Sequence, residues 1–217
     1  MGIPVMIMGK SGSGKSTSLM NFAENELYLI KGLKKPLPFK KKFASTIETD
    51  DYQTIMKAMV KSRKKAIVID DAGYLITNKF MREHSSTGGG NAVFDLYNNI
   101  GDRFWRLINC VTDELPEDKI VYFMMHEDKS DMGDVKPKTI GKLLDEKVCL
   151  EGMFTIILRC ITEDGKHIFK TKTDGADVTK SPMSMFNDER IDNDLKEVDV
   201  IIRNYYGIEE REENDDK

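Results

Sequence analysis

Short runs of consecutive apolar residues alternate along this chain with segments in which apolar residues recur every three or four positions. Uninterrupted runs are typical of strands that are buried on both faces of a parallel sheet. We expect such strands at residues 3–8, 26–30, 66–71 and 119–125. The helical spacing predicts helices at residues 17–23, 52–60, 74–83, 92–111 and 191–206. Strands that alternate with helices predict an α/β fold, in which helices flank a central, mostly parallel sheet.

Smaller elements are expected in two further places. Residues 43–47 read as a short strand. Near the C-terminal end, residues 154–161 and 167–172 read as two strands that flank the dipeptide Asp164-Gly165. Asp-Gly between apolar runs is a strong signal for a tight turn, so we predict a C-terminal β-hairpin.

The charge of the chain is concentrated at one end. The formal net charge is −4, and residues 209–217 contain six acidic and two basic residues. The rest of the chain is therefore neutral, and total charge neither predicts nor excludes a nucleic-acid partner. We expect this acidic tail to be disordered and residues 1–208 to form a single domain without internal repeats.

Neither a membrane segment nor a disulfide framework is predicted. No apolar run approaches the roughly 20 residues that span a bilayer, and the N-terminus reads as a strand rather than a signal peptide. The cysteines are odd in number and form no Cys-x-x-Cys pair, so we expect reduced core thiols and no zinc site. They are Cys110, Cys149 and Cys160. These features predict a cytoplasmic protein without membrane contact.

The segment between the first predicted strand and the first predicted helix carries the clearest chemistry. Residues 9–16 read GKSGSGKS and fit G-x-x-x-x-G-K-[ST], the phosphate-binding P-loop, in the strand–loop–helix setting that this motif requires. Its glycines let backbone amides surround an anionic phosphate, and the positive dipole end of a helix beginning near Lys15 adds to the attraction. A Gly/Ser-rich linker that matches by accident is the alternative interpretation.

Individual roles within this loop follow from the motif. Lys15 is expected to reach the β- and γ-phosphates, where it would also stabilise charge during phosphoryl transfer. The Ser16 hydroxyl is expected to bind Mg²⁺. The full set of predicted nucleotide-binding residues is Gly9, Lys10, Ser11, Gly12, Ser13, Gly14, Lys15, Ser16 and Thr17.

Polar side chains end three other predicted strands. The run AIVIDD at residues 66–71 fits the Walker B pattern, in which a strand-end acid holds Mg²⁺, and we assign this role to Asp70. Asp71 is a candidate base for orienting the attacking water, and a cap on the next helix is its equal alternative. Glu48 is a rival base. His126 ends the strand predicted beside Walker B and is a candidate γ-phosphate sensor. The alternative interpretation is a histidine at a strand end whose hydrogen bonds are made within the fold.

Two lysine-rich segments are candidates for a nucleic-acid surface. Six lysines fall within residues 31–42, and a second basic segment spans residues 136–142. Lysines can neutralise the phosphates of a nucleic acid, but a solvated surface loop is the alternative interpretation. The predicted DNA-binding residues are Lys34, Lys35, Lys40, Lys41, Lys42, Lys136, Lys138 and Lys142.

Six stretches, spread over nearly the whole chain, carry a resemblance to one class of proteins. They are GKSGSGKSTS at 9–18, KPLPFK at 35–40, AIVIDD at 66–71, KPKTIGK at 136–142, KSPMSMF at 180–186 and IDNDLKEVDVIIRNYY at 191–206. Together they resemble phage-encoded nucleotide-binding proteins of the RecA-like P-loop class. Members of this group are similar to Rad51-like recombinases reduced to the ATPase core, and some are regarded as single-strand annealing proteins.

The resemblance implies a RecA-like P-loop NTPase that uses ATP and Mg²⁺ and binds single-stranded DNA in phage recombination or replication. It also implies a homo-oligomer, as a ring or a filament, in the cytoplasm of the host cell. A single-strand binding protein or a host recombinase would be a further partner. A small-molecule kinase acting on nucleosides or nucleotides, and a non-hydrolysing switch or loader, are the alternatives.

One departure from the class concerns catalysis. RecA carries a catalytic glutamate at the end of the strand that follows the P-loop helix, whereas the corresponding strand here ends at Lys31. Hydrolysis is therefore expected to be slow, or to use Asp71 or Glu48 instead.

Overall fold

The computed structural model describes residues 1–130, 133–140 and 148–208. Within these ranges the chain forms nine strands, four α-helices and two short 3-10 helices. The strands are β1 (Ile3–Gly9), β2 (Leu27–Lys31), β3 (Ser45–Glu48), β4 (Ala66–Asp70), β5 (Ile120–Lys129), β6 (Val135–Pro137), β7 (Ile156–Glu163), β8 (Lys166–Lys170) and β9 (Arg190–Asp192). The α-helices are α1 (Tyr52–Lys61), α2 (Gly73–Glu83), α3 (Asn91–Glu114) and α4 (Leu195–Tyr206), and the 3-10 helices are Ser16–Leu19 and Glu151–Met153.

The strands form a mixed sheet in the order β3-β2-β4-β5-β1-β7-β8-β9, and β6 pairs with β5 outside this path. The six strands β3, β2, β4, β5, β1 and β7 are parallel to one another, whereas β8 and β9 are antiparallel additions at one edge. The predicted α/β fold with a mostly parallel central sheet is confirmed. Because parallel strands end at the same edge, β1, β4 and β5 bring their carboxyl ends together.

Two apolar cores cover the two faces of the sheet. Successive side chains of a strand point to opposite faces, and along β1 Met6 and Met8 join the core under α1, α2 and α3. Val5 and Ile7 join the other core, which contains α4 and the Ser16–Leu19 helix. Burial on both faces explains why β1, β4 and the first half of β5 read as uninterrupted apolar runs.

Local sequence signals are confirmed at two turns. The Asp51 side chain accepts a hydrogen bond of 2.8 Å from the Thr54 amide and so caps α1 at its N-terminus. Asp164 and Gly165 join β7 to β8 with φ angles of 49° and 77°. Positive φ at both central positions is the geometry of a type I′ turn, which matches the predicted β-hairpin.

The predicted helix at residues 17–23 is wrong. The chain forms only the four-residue 3-10 helix Ser16–Leu19 and then a series of turns before β2. The Lys41 ammonium donates to the carbonyl oxygens of Met20 and Phe22. These contacts fix the turns that replace the rest of the predicted helix.

The predicted final helix begins too early at residue 191. Residues 190–192 form β9, in which Ile191 pairs with Phe169 of β8. Asp194 then accepts hydrogen bonds from the Lys196 and Glu197 amides and begins α4. Pairing with β8 holds Ile191 in extended backbone, although its spacing fits the apolar stripe of the helix.

The strand predicted at 119–125 is also longer than expected, since β5 continues to Lys129. Its end forms an antiparallel pair with β6, so the described part of the predicted loop at 129–142 contains a short hairpin. Lys142 and the acidic tail at 209–217 lie outside the described residues. Cys110 and Cys160 are buried as predicted, but Cys149 is exposed. No helix in the described ranges is both long and apolar enough to cross a membrane.

Candidate nucleotide-binding site

The P-loop follows β1 directly at the carboxyl edge of the sheet. Gly12 and Gly14 have φ angles of +79° and +102°, which side-chain-bearing residues rarely adopt. A Cβ at Gly14 would lie 2.6 Å from the His167 ring and 2.8 Å from the Asn193 side chain. Gly14 is therefore required both by backbone conformation and by close packing.

Lys15 folds back over its own loop. Its ammonium group donates hydrogen bonds of 2.7 Å and 2.8 Å to the carbonyl oxygens of Gly9 and Lys10. Burial lowers the pKa of Lys15, and the nearby charges of Asp70 and Asp71 oppose that shift. Because only a 3-10 helix follows the loop, the helix dipole expected at Lys15 is weak, and backbone amides and Lys15 itself remain the phosphate-attracting groups.

Two side chains from the C-terminal part of the chain donate hydrogen bonds to carbonyl oxygens of the P-loop. Asn193 donates a 2.9 Å hydrogen bond to the Gly14 carbonyl, and the Cys160 thiol donates to the Ser13 carbonyl at 2.8 Å. Cys160 also contacts Asn193 Oδ1 at 3.2 Å. The sequence assigned no role to either side chain. Asn193 lies in the stretch at 191–206 that carries the resemblance, but its contact with the loop depends on the sheet, as does that of Cys160.

Ser16 and Asp70 join the P-loop to β4. The Ser16 hydroxyl lies 2.9 Å from Asp70 Oδ1 and 3.1 Å from Oδ2. Burial and the neighbouring Asp71 raise the pKa of Asp70. A buried carboxylate beside a hydroxyl at a phosphate loop fits Mg²⁺, which is usually bound by one or two protein oxygens, phosphate oxygens and water. Among the described residues no three His, Cys, Asp or Glu side chains form a metal cluster.

The carboxyl group of Asp71 lies between the side chains of Lys35 and His126. Its Oδ2 lies 2.5 Å from Lys35 Nζ, and its Oδ1 lies 3.5 Å from His126 Nε2. Burial opposes ionisation of Asp71, but the neighbouring His126 and Lys35 outweigh it and lower the pKa of the carboxyl group. Asp71 has a φ of 56° in the left-handed region, which Asp tolerates better than most residues. The Tyr74 ring packs edge-on against His126.

Glu48 does not join this group. It pairs with Lys31 at 2.5 Å, and Lys31 is aligned with Asp70 across β2 and β4. Glu48 therefore lies two strands from Asp70, about 10 Å along the sheet. Its pKa is lowered by the hydrogen bond from Lys31. Of the two candidate bases, Asp71 is the one that the fold brings to the P-loop edge.

The predicted DNA-binding lysines divide into two groups. Lys35 and Lys41 make the contacts with Asp71 and with backbone carbonyls described above, and Lys136 is half-buried in β6. The exposed members are Lys34, Lys40, Lys42 and Lys138.

A buried ionic cluster lies beside β1 and was not predicted. Arg159 of β7 donates to both carboxylate oxygens of Glu127, at 2.8 Å and 3.0 Å, and to Asp177 at 3.1 Å. Lys170 binds Asp177 at 2.8 Å and Asp174 at 3.0 Å. Lys170, Asp174 and Asp177 are close in sequence, but Glu127 is 32 positions from Arg159 and Arg159 is 18 positions from Asp177. Only the fold brings Glu127 and Arg159 to the acidic side chains.

Comparison with known families agrees with this geometry. The model of a family described as AAA domain (AAA_24) matches residues 1–183. The chain belongs to this AAA domain family. No curated protein sequence matches the chain significantly. The AAA domain family is a P-loop NTPase family, and the match therefore implies nucleotide binding and hydrolysis in general terms. Asn193, which supports the P-loop from behind, lies beyond the matched part of the AAA domain.

Proposed function

We propose that this protein is a Mg²⁺-dependent ATPase whose nucleotide state controls binding to single-stranded DNA. The observation that carries the ATPase part is the 2.9 Å contact between Ser16 and Asp70. It unites the P-loop hydroxyl and the strand-end acid, the two groups that a nucleotide-bound Mg²⁺ requires.

The chain's own groups divide the work at this site. Loop amides and Lys15 bind the phosphates, and Ser16 and Asp70 hold the metal-binding position. Bound Mg²⁺ would neutralise the negative charge that develops on the phosphates. Asp71 is ionised at neutral pH because its pKa is lowered, so its carboxylate can accept a hydrogen bond from the attacking water and orient it. His126 is close enough to Asp71 to fix the position of that carboxylate.

The DNA part rests on the exposed lysines and on their connection to the site. Lys34, Lys40, Lys42 and Lys138 offer positive charge that can follow a phosphate backbone. Both lysine segments touch the Asp71–His126 pair, because Lys35 binds Asp71 and the Lys138 amide donates to the His126 carbonyl at 2.7 Å. Nucleotide-dependent changes at that pair would therefore reach both segments. Assembly into a ring or filament stays a prediction from resemblance.

ATPase turnover with and without single-stranded DNA tests this function. We expect Mg²⁺-dependent phosphate release that single-stranded DNA stimulates, and Lys15→Ala should abolish it. Absence of ATP binding by the wild-type protein would contradict the nucleotide part. ATP binding without salt-sensitive binding to single strands would contradict the DNA part. Phosphate transfer to an added nucleoside would instead identify a kinase.

A further inference from the structure

Residues 33–42, named here the lysine strap, cross the surface next to the P-loop edge of the sheet. Exposure along the strap alternates with a period of two, as in an extended strand. The exposed positions are Lys34, Pro36, Pro38, Lys40 and Lys42. The intervening positions are half-buried, so the lysines of the strap are sorted into outward-facing and inward-facing groups.

The two inward-facing lysines attach the strap at both ends. Lys35 binds Asp71 at 2.5 Å. Lys41 donates to the carbonyl oxygens of Met20 and Phe22 in the turns after the P-loop. Lys35 thus attaches the strap to a residue of the nucleotide site, and Lys41 attaches it to the segment that follows the P-loop. A surface loop that served only to connect two strands would not need either contact.

Lys35 is connected to the P-loop through the two acids at the end of β4. Its partner Asp71 directly follows Asp70, which contacts Ser16. Burial is the main cause that lowers the pKa of Lys15, and the charge of Lys35 adds to it. The Lys35 side chain is 41% exposed, whereas that of Asp71 is 4% exposed. A ligand can therefore approach the lysine from the open side while Asp71 stays covered.

We propose that Lys35 is a second cationic residue of the nucleotide site, which binds the terminal phosphate of ATP and is held by Asp71 when that phosphate is absent. This inference rests on the proposed ATP binding. A terminal phosphate offers three acceptor oxygens and more negative charge than one carboxylate, so it competes effectively for an ammonium group. Transfer of Lys35 from Asp71 to the phosphate would shift the strap and free Asp71 to contact water.

The consequence is specificity for the triphosphate state. ADP lacks the terminal phosphate, so Lys35 would remain with Asp71 and the strap would keep its present position. The exposed lysines Lys34, Lys40 and Lys42 belong to the same short segment as Lys35. Their arrangement would therefore differ between the ATP-bound and ADP-bound states, which gives nucleotide state a direct route to the proposed DNA surface.

A competing interpretation is that Lys35 only neutralises Asp71. In that case, removing its charge would alter stability and would change ATP and ADP binding to the same extent. Lys35→Gln keeps most of the side-chain length without the charge, and Lys35→Arg keeps the charge. Lys57→Gln is the matched control, because Lys57 is an exposed lysine on α1.

The test measures Mg²⁺-dependent binding of a non-hydrolysable ATP analogue and of ADP to the full chain without DNA. Loss of a charge-assisted contact predicts that Lys35→Gln weakens binding of the analogue about 10- to 100-fold, with ADP affinity changed less than about threefold. Lys35→Arg should retain most of the preference for the analogue, and Lys57→Gln should resemble wild type. Equal changes for both nucleotides, or no change, would overturn the role of Lys35.

A measurement on the wild-type protein needs no substitution. Hydrogen exchange at residues 33–42 should change when the ATP analogue binds and should not change with ADP. Identical exchange in the two states would overturn the proposal. Failure of wild-type protein to bind the analogue at all would instead reject the proposed function, so the two failures are distinguishable.

Discussion

The side chain of Asn193 donates a 2.9 Å hydrogen bond to the carbonyl oxygen of Gly14, although 179 positions separate the two residues in the chain. Gly14 is the last glycine of the P-loop, and its backbone is held in a conformation with a φ of +102°. Asn193 stands between β9 and α4. The loop that should receive phosphate is thus supported by a residue close to the C-terminal helix.

Asn193→Ala should therefore weaken both the fold and the nucleotide site. The Gly14 carbonyl keeps its hydrogen bond from the Ser18 amide, and the Cys160 thiol keeps the Ser13 carbonyl. Only one hydrogen bond to Gly14 is therefore lost, and we expect the free energy of unfolding to fall by about 1 kcal/mol. Affinity for an ATP analogue should fall several-fold, because the loop amides lose their alignment. Denaturant unfolding and nucleotide titration measure the two effects. Asn98→Ala, on the exposed face of α3, is the control, and equal behaviour of both variants would contradict the role of Asn193.

Asp70→Asn should separate stability from nucleotide binding. Asp70 is 2% exposed and adjoins Asp71, so its negative charge is costly by itself. We expect the free energy of unfolding at neutral pH to be unchanged or to rise by up to about 1 kcal/mol. Mg²⁺-dependent affinity for the ATP analogue should fall at least tenfold. Glu117→Gln, at an exposed acid, controls for the change of net charge. A loss of stability together with unchanged affinity would show that Asp70 has a purely structural role.

The ionic cluster at Asp177 predicts a specific dependence on pH. Burial raises the pKa of Asp177, but hydrogen bonds from Lys170, Thr179 and Arg159 outweigh it and lower the pKa to about 2. Because the folded-state pKa is below the ordinary 3.8, the stabilisation is complete above that value and is lost as the pH falls through 2. Asp177→Asn should reduce the free energy of unfolding by about 3 kcal/mol at pH 7, and this difference should shrink between pH 4 and pH 2.

Urea denaturation at several pH values measures this difference. The control is Asp174→Asn, because Asp174 binds the same Lys170 but its side chain is 63% exposed. An exposed ion pair contributes less than about 1 kcal/mol, so the control should remain near wild type. A pH-independent difference between Asp177→Asn and wild type would mean that the loss comes from packing and not from charge.

The outward-facing lysines of the strap predict a change in salt dependence. Substituting alanine for Lys34, Lys40 and Lys42 together should lower affinity for single-stranded DNA. The slope of log K against log salt should become shallower by up to about 2, since each phosphate neutralised on a single strand contributes about 0.7. Fluorescence anisotropy with a labelled oligonucleotide at several salt concentrations measures both quantities.

The control for this charge change is a triple alanine variant at Lys57, Lys61 and Lys172, which are exposed elsewhere on the surface. It removes the same net charge and should leave the salt slope close to that of wild type. If both triple variants reduce the slope equally, the attraction is a property of the whole surface. That result would argue against a DNA path along the strap.

Much of the fold could be read from local sequence, because many elements are specified by neighbouring residues. Asp51 caps α1, Asp164-Gly165 closes the hairpin, and the apolar run of β4 needs burial on both faces. The turns that replace the predicted helix after Leu19 could not be predicted, since Lys41 contacts their carbonyl oxygens from about twenty positions away. The start of α4 depends likewise on β8, with which Ile191 pairs.

The candidate site likewise combines residues that local sequence identifies with residues that only the fold reveals. The P-loop pattern and the strand-end position of Asp70 identify groups that the fold does bring together. The side chains of Asn193 and Cys160 reach the loop only because the sheet continues from β1 through β7 and β8 to β9. Composition revealed the lysines of the strap, but only the alternation of exposed and half-buried positions separates Lys35 from its outward-facing neighbours.

Support of the P-loop from β7 and from Asn193 also sets an order of events during synthesis. Residues 9–16 leave the ribosome first, yet the contacts that fix Gly14 and Ser13 are completed only when Cys160 and then Asn193 have emerged. A nascent chain shorter than about 190 residues would thus carry the phosphate-binding sequence without its final geometry. Nucleotide affinity would be acquired only after residue 193 has joined the fold, so ATP could not act on folding intermediates that lack this contact.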